Sequence, residues 1–268
     1  MKLKSHYLIK PDQKVKLSRL ETSEDGGFRS QEAAAAVLVK HRETLAHLQE
    51  LLYAGQQRAV LIVLQGMDTA GKDGTISHIF SGVNPQGCDV ASFKVPTPLE
   101  ARHDFLWRCH AMAPPKGMIG IFNRSHYEEV LSPRVHKLFS AKEARAKMDE
   151  INDFEEMLVN SGTVVLKFFL HISREEQTAR LQARLDDPKK HWKLSAADFK
   201  EREFWPDYEQ AYEDVLNRTS RKDAPWFVIP ADKKWYRNLA ISEILVEALK
   251  GLKLDYPTPT VDAAKIKL

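Results

Sequence analysis

The segment that most restricts this chain is Gly66-Met67-Asp68-Thr69-Ala70-Gly71-Lys72-Asp73-Gly74, which follows the apolar run Ala59-Val60-Leu61-Ile62-Val63-Leu64 and precedes a stretch of helical character. Strand, glycine-rich turn and helix in that order are the context of a phosphate-binding P-loop. Gly66 and Gly71 let the backbone curl so that successive N–H groups face anionic oxygens, and Lys72 adds a point charge. Met67, Thr69, Ala70, Gly74 and Thr75 complete the expected phosphate-binding backbone. Position 73 carries Asp where P-loop NTPases place the Ser or Thr that holds Mg²⁺, and a second carboxylate, Asp68, lies inside the loop. Carboxylates repel phosphates unless a cation stands between them, so one or both are expected to reach the phosphates through Mg²⁺. A plain solvated turn is the bland alternative, and the register of both glycines, the lysine and the flanking elements argues against it.

Hydrophobic periodicity predicts a helix from Gln31 to about Tyr53, with Val37, Leu45, Leu48 and Leu52 buried, and then strands and helices in alternation. Strands are expected at 58–64, 89–95, 117–122, 163–170 and 225–229, and helices after the P-loop and at 98–112, 141–160, 174–217 and 236–251. Such alternation predicts a parallel α/β sheet of about five strands covered by helices on both faces, with phosphate sites at the carboxyl ends of the strands. Asp186-Asp187-Pro188 breaks the long helical region into two helices around a basic corner, a candidate mobile lid at about 180–220. The expected organisation is a polar arm over 1–30, a P-loop domain over 31–254 and a surface extension over 255–268.

Composition limits the partners. The 40 basic residues are nearly matched by 37 acidic ones, so a net charge of +3 does not argue for nucleic acid. No apolar stretch approaches a membrane span, and no apolar segment follows the basic start Met1-Lys2-Leu3-Lys4 as a secretory signal requires. Cys88 and Cys109 have no metal-site spacing and read as reduced thiols, which suits a cytoplasmic protein. His103, His110, His126 and His136 likewise lack metal-ligand spacing.

Three segments together carry a family resemblance: the P-loop through Thr75, Phe122-Asn123-Arg124-Ser125-His126-Tyr127-Glu128-Glu129-Val130, and Arg184-Leu185-Asp186-Asp187-Pro188-Lys189-Lys190-His191-Trp192-Lys193. They resemble the polyphosphate kinase 2 family, and Ala224-Pro225-Trp226-Phe227-Val228-Ile229-Pro230-Ala231 is similar to its last strand. The resemblance covers about residues 30–250 and implies a thymidylate-kinase-like P-loop kinase fold with a helical lid. It also implies Mg²⁺-dependent phosphoryl transfer between inorganic polyphosphate and AMP, ADP and ATP, and a homo-oligomer such as a tetramer. By position, Asp68 and Lys72 become the catalytic P-loop pair, Arg124 the residue after the Walker B position, and Arg184 the lid arginine. Many relatives carry Asp where this chain has Asn123, which shifts metal binding toward Asp68. Glu128 replaces the Asn of the ADP-preferring class and resembles the class that accepts AMP as well.

The residue types suit that chemistry without the resemblance, because phosphoryl transfer needs positioning and neutralisation of charge more than a covalent nucleophile. Lys72, Arg124 and Arg184 supply fixed positive charge. Arg102, Asp104 and Arg108, on the helix expected at 98–112, are candidates for the acceptor, with an ordinary Asp104 to Arg108 pair as the alternative. Lys94, Arg134, Lys189, Lys190 and Lys193 are candidates for a polyanion path. Two competing functions share the P-loop: an ATP-dependent nucleoside monophosphate kinase, disfavoured by Asp73, and a non-catalytic nucleotide-binding module, disfavoured by the retained Lys72.

Overall fold

The strands expected from sequence form, and a further one joins them from the amino-terminal arm. The computed structural model describes residues 5–11, 13–28, 30–262 and 265–266, the side chains at 197 and 198 excepted. Its strands are β1 (Leu8–Ile9), β2 (Ala59–Gly66), β3 (Cys88–Ser92), β4 (Ile119–Asn123), β5 (Thr163–His171) and β6 (Trp226–Pro230). They make one sheet in the order β1-β6-β5-β2-β4-β3, parallel throughout except for β1, which pairs antiparallel with β6. Every residue of β2 and of β6 is buried, as strands covered on both faces must be, whereas β3 at the edge leaves Asp89, Val90 and Ser92 exposed.

The helices are α1 (Gln31–Gly55), α2 (Lys72–Ile79), α3 (Trp107–Ala111), α4 (Glu128–Val135), α5 (Ala141–Asn160), α6 (Arg174–Leu185), α7 (Ala196–Glu201), α8 (Trp205–Thr219) and α9 (Lys234–Lys250). Ser30, Ser140 and Ser173 cap α1, α5 and α6 through their side chains, and Ser140 with Glu143 forms a reciprocal capping box.

From β2 the chain crosses to the sheet edge at β3, returns to β4 beside β2, and then passes to β5 on the other side. The carboxyl end of β2 is therefore a topological switch point, where loops diverge and leave a crevice. The P-loop occupies it.

Two helical expectations need correction. The span 98–112 is not one helix: a 3-10 turn at Glu100–Arg102 precedes α3, and His103 between them is extended. The Asp104 carboxylate accepts the Leu106 N–H at 3.0 Å, a local bond that competes with continued helix. Beyond α6 the chain forms not a second long helix but a 3-10 segment at Pro188–Lys193, then α7, a further 3-10 turn at Arg202–Phe204, and α8. Asp187 accepts from the Lys189 N–H at 3.0 Å and starts the first of these segments.

Candidate active site

The curl of the P-loop needs glycine at both of its ends. Gly66 has φ +155°, and a Cβ there would lie 2.8 Å from the Leu170 carbonyl oxygen. Gly71 has φ +103°, and its Cβ would fall 2.0 Å from Arg237 Nη1. Between them Thr69 adopts φ +67°, rare for a branched residue, and its hydroxyl is buried without a partner among the described residues. Lys72 opens α2 and is buried, with Nζ donating to the Gly66 carbonyl at 2.9 Å. Burial holds the Lys72 pKa below its usual value, Arg124 adds to that effect, and Asp68 and Glu128 oppose it.

Arg124 is the hub of the charged cluster. It stands at φ +61° immediately after β4, its N–H bonded to the Leu64 carbonyl of β2 at 3.1 Å. Its guanidinium donates to Asp68 at 2.9 Å and to Glu128 at 3.3 Å. Burial disfavours its charge, but the Glu128 and Asp68 carboxylates outweigh burial and raise its pKa above the ordinary guanidinium value. Beside it Asn123 Nδ2 donates to Asp73 at 2.6 Å, joining the end of β4 to the first turn of α2. P-loop and post-β4 loop, 50 residues and more apart in sequence, thus meet through Asp68–Arg124 and Asp73–Asn123.

Two clefts open on the loop. One, of about 530 Å³, has Asp68, Lys72, Asp73 and Arg124 on one wall, Phe93 and Lys94 beyond β3, and Arg184, Trp192 and Lys193 from the lid. Trp192 is 78% exposed, so this aromatic surface is available to a ligand. The other, of about 620 Å³, lies between α1, α6 and α9 and is lined by Arg42, Arg180, Lys190, Lys234 and Arg237, with Arg184 and Lys193 shared between the two clefts. No carboxylate lines this second cleft among the described residues. Arg237 is buried against it and pairs with no carboxylate among those residues; burial, with the charge of Arg180, pulls its pKa down to about 9.

Several residues singled out from sequence lie apart from the loop. Arg108 is buried and donates to the Lys94 carbonyl at 2.8 Å and to Glu129 at 2.6 Å, so neither the Asp104 pair nor direct exposure to the cleft is realised. Arg102 and Asp104 are exposed on the segment before α3. Arg134 pairs with Asp214 of α8. Lys189 lines neither cleft. Conversely, sequence reasoning passed over Arg42, Gln177, Arg180, Trp192, Lys234 and Arg237. Lys234 and Arg237 follow the carboxyl end of β6, and the rule that placed the other loops would have pointed to them.

Ser125, His126 and Tyr127, inside the second motif, turn inward instead. His126 and the Tyr127 hydroxyl both contact Glu155 Oε1, at 3.1 and 2.8 Å, and Lys167 Nζ lies 2.5 Å from Glu155 Oε2. All four side chains are fully buried. Burial works against the Glu155 carboxylate, yet Lys167 and His126 hold its pKa below the usual range. This ion-paired plug fixes the start of α4, and with it the direction of Arg124 and Glu128.

A family model described as polyphosphate kinase 2 matches residues 29–257, which spans the P-loop, the post-β4 loop and the lid. The chain belongs to the polyphosphate kinase 2 family. Polyphosphate kinase 2 of Arthrobacter aurescens TC1 has a crystal structure that superposes with a TM-score of 0.90 at 44% identity, over 93% of this chain and 90% of that one. The AMP/ADP-polyphosphate phosphotransferase of Meiothermus ruber is 49% identical over 261 residues, 97% of this chain and 98% of the relative. The ADP-polyphosphate phosphotransferase of Rhodopseudomonas palustris is 44% identical, over 97% of this chain and 94% of its own length. As in those relatives, the match takes in nearly the whole chain. Among the described residues, no helix of this polyphosphate kinase 2 is long and apolar enough to cross a membrane.

Proposed function

We infer that this polyphosphate kinase 2 transfers phosphoryl groups from inorganic polyphosphate to AMP and ADP, forming ADP and ATP, and that it works in the cytoplasm. The observation that carries the reading is the pair of unlike clefts meeting at one P-loop. A polyanion of indefinite length needs several cations facing one cleft, which describes the cleft between α1, α6 and α9: its lining carries Arg42, Lys234 and Arg237 beside Arg180 and Lys190, which pair with Glu176 and Asp187, and no carboxylate among the described residues. A nucleotide presents one flat base and a few phosphates, which suits the cleft that combines the exposed Trp192 with Asp68, Lys72 and Arg124.

A terminal phosphate oxygen of the acceptor attacks the terminal phosphorus of polyphosphate. The new P–O bond forms as the bond to the next bridging oxygen breaks, and the shortened polyphosphate leaves with the electron pair. Lys72, Arg124 and Arg184 counter the charge that spreads over the moving group. Lys72 meets the phosphate by exchanging its bond to the Gly66 carbonyl for a phosphate oxygen. Asp68 is held beside the reacting groups by Arg124. Mg²⁺ fits this donor set, because it binds through one or two carboxylates plus phosphate oxygens, and Asp68 and Asp73 line the cleft that holds Lys72. Asp68 would hold the ion in this scheme, and the ion would supply charge neutralisation at the phosphates.

The test mixes the protein with AMP, Mg²⁺ and either polyphosphate or ATP, and follows ADP and ATP. ADP followed by ATP from polyphosphate is the expected result. Turnover with ATP alone identifies a nucleoside monophosphate kinase, and no turnover with either donor identifies a nucleotide-binding module.

A further inference from the structure

The P-loop presents N–H groups to anions only while its carbonyls face the other way, because the C=O of one residue and the N–H of the next are antiparallel across a trans peptide. The carbonyl partners are therefore the question to ask of this loop. Three consecutive carbonyls, those of Asp68, Thr69 and Ala70, are held by side chains remote in sequence. Gln177 Nε2 donates to the Asp68 carbonyl at 3.0 Å, Arg180 Nη1 donates to those of Thr69 and Ala70 at 2.9 Å each, and Arg237 Nη1 donates to Ala70 at 3.0 Å. Lys72 holds the Gly66 carbonyl, but that bond is surrendered when the lysine turns to a phosphate, so it cannot define the ligand-bound loop.

Arg180 is fully committed. Its Nη2 donates to the Ala231 carbonyl at 2.6 Å and to that of Asp232 at 3.0 Å, while Nε donates to Glu176 at 2.7 Å. One buried guanidinium therefore ties the P-loop to the turn after β6, from the helix that carries the lid arginine Arg184. The consequence falls on the N–H groups of Thr69 and Gly71. Among the described residues neither donates to a protein acceptor, and the clamped carbonyls of Asp68 and Ala70 fix their direction.

We propose that Gln177, Arg180 and Arg237 are positioning residues that clamp the P-loop carbonyls from behind and so hold Thr69 and Gly71 N–H as a preformed site for a phosphate group. Preorganised donors cost no reorientation when the anion arrives. The clamp needs only an anion in the loop, so it stands apart from the identity of the phosphoryl donor, which the assay above decides.

Two substitutions remove clamp bonds without changing the local charge. Gln177→Met deletes the donor to Asp68, and Arg180→Lys keeps the cation but loses the planar fork that reaches both loops. Ala179→Met, at an exposed position of the same helix, is the control. Calorimetric titration with tripolyphosphate and Mg²⁺, without nucleotide, reads the affinity, and amide hydrogen exchange reads the loop and β5 separately. The expected result is a rise in Kd of at least ~10-fold for both clamp variants, with faster exchange at residues 67–71, unchanged exchange in β5 and a control equal to wild type. A Kd within ~3-fold of wild type overturns the clamp. Affinity loss accompanied by equal loss of β5 protection also overturns it, since the residues then only support the fold. Wild-type protein that fails to bind tripolyphosphate removes the anion site itself.

Discussion

At the scale of single residues, the charged cluster includes a P-loop carboxylate, Asp68, that the proposed reaction sets beside phosphates. Asp68 shares Arg124 with Glu128, so its charge is partly compensated before ligand arrives. Asp68→Asn keeps the shape but weakens the ion pair with Arg124 and, on the proposed scheme, the hold on Mg²⁺. Turnover should fall at least ~10²-fold, and the defect should deepen as Mg²⁺ is lowered. Initial rates across a Mg²⁺ series check this, and a Mg²⁺ dependence like that of wild type assigns Asp68 to orienting the acceptor instead. Glu128 opens α4 and reaches Arg124 across one turn. On the proposed placement of Glu128 beside the acceptor, AMP would leave unfilled the space that the second phosphate of ADP occupies, and the carboxylate would keep Arg124, to which it is bonded, in place there. Glu128→Asn should shift the ratio of kcat/KM for AMP against ADP by at least ~10-fold, about 1.4 kcal/mol of discrimination. Measuring both acceptors with one polyphosphate preparation decides it, and a parallel fall leaves Glu128 as a support for the loop. Asp68, Lys72 and Arg124 were singled out from sequence because their motifs are local, and the structure brings them to one cleft. The strand-end rule points to the neighbourhood of Arg237, but its hold on the Ala70 carbonyl, 167 residues away, has no local signal.

At the scale of elements, β2, β4, β5 and β6 were legible because buried parallel strands are written as largely apolar runs, whereas the edge strand β3, with Asp89 and Ser92 exposed, ends at Ser92 rather than at 95 as expected. The antiparallel β1 was not: two residues carry no periodicity, and only pairing with β6 makes them a strand. The helix expected at 98–112 failed for a related reason, since the Asp104 side chain captures a backbone N–H that a continuous helix would use. The lid was legible as a break at Pro188 but not in its parts, where 3-10 segments flank the six-residue α7. Arg184 sits in the last turn of α6 and lines both clefts. On the proposed role of Arg184 as a lid arginine that meets the phosphates on closure, Arg184→Ala should lower transfer at least ~10-fold while nucleotide affinity in the absence of polyphosphate changes less than ~3-fold. Steady-state rates beside equilibrium titration with ADP separate the two effects, and an equal loss in both places Arg184 in the resting nucleotide site.

At the scale of the whole molecule, the net charge of +3 hides how the cations are arranged. Glu213 with Lys16, Asp149 with Arg218 and Glu156 with Arg221 form ion pairs elsewhere in the fold, while the cleft between α1, α6 and α9, where Arg180 and Lys190 pair with Glu176 and Asp187, has cations in its lining and no carboxylate among the described residues. Separation of charge, rather than its total, makes a path for a polyanion. A polyphosphate chain lying in that cleft touches several cations at once and displaces the counterions around each of its phosphates. AMP, with one phosphate, displaces few. Binding that releases more ions falls more steeply with salt, so raising KCl from roughly 50 to 500 mM should increase the KM for long-chain polyphosphate at least ~10-fold and that for AMP less than ~3-fold. Lys234→Gln removes one cation from the cleft wall and should flatten the polyphosphate slope without altering the AMP slope. Equal slopes for the two substrates in wild type would show that polyphosphate meets the protein only through its terminal phosphates, and the cleft would then lose its role as the donor path.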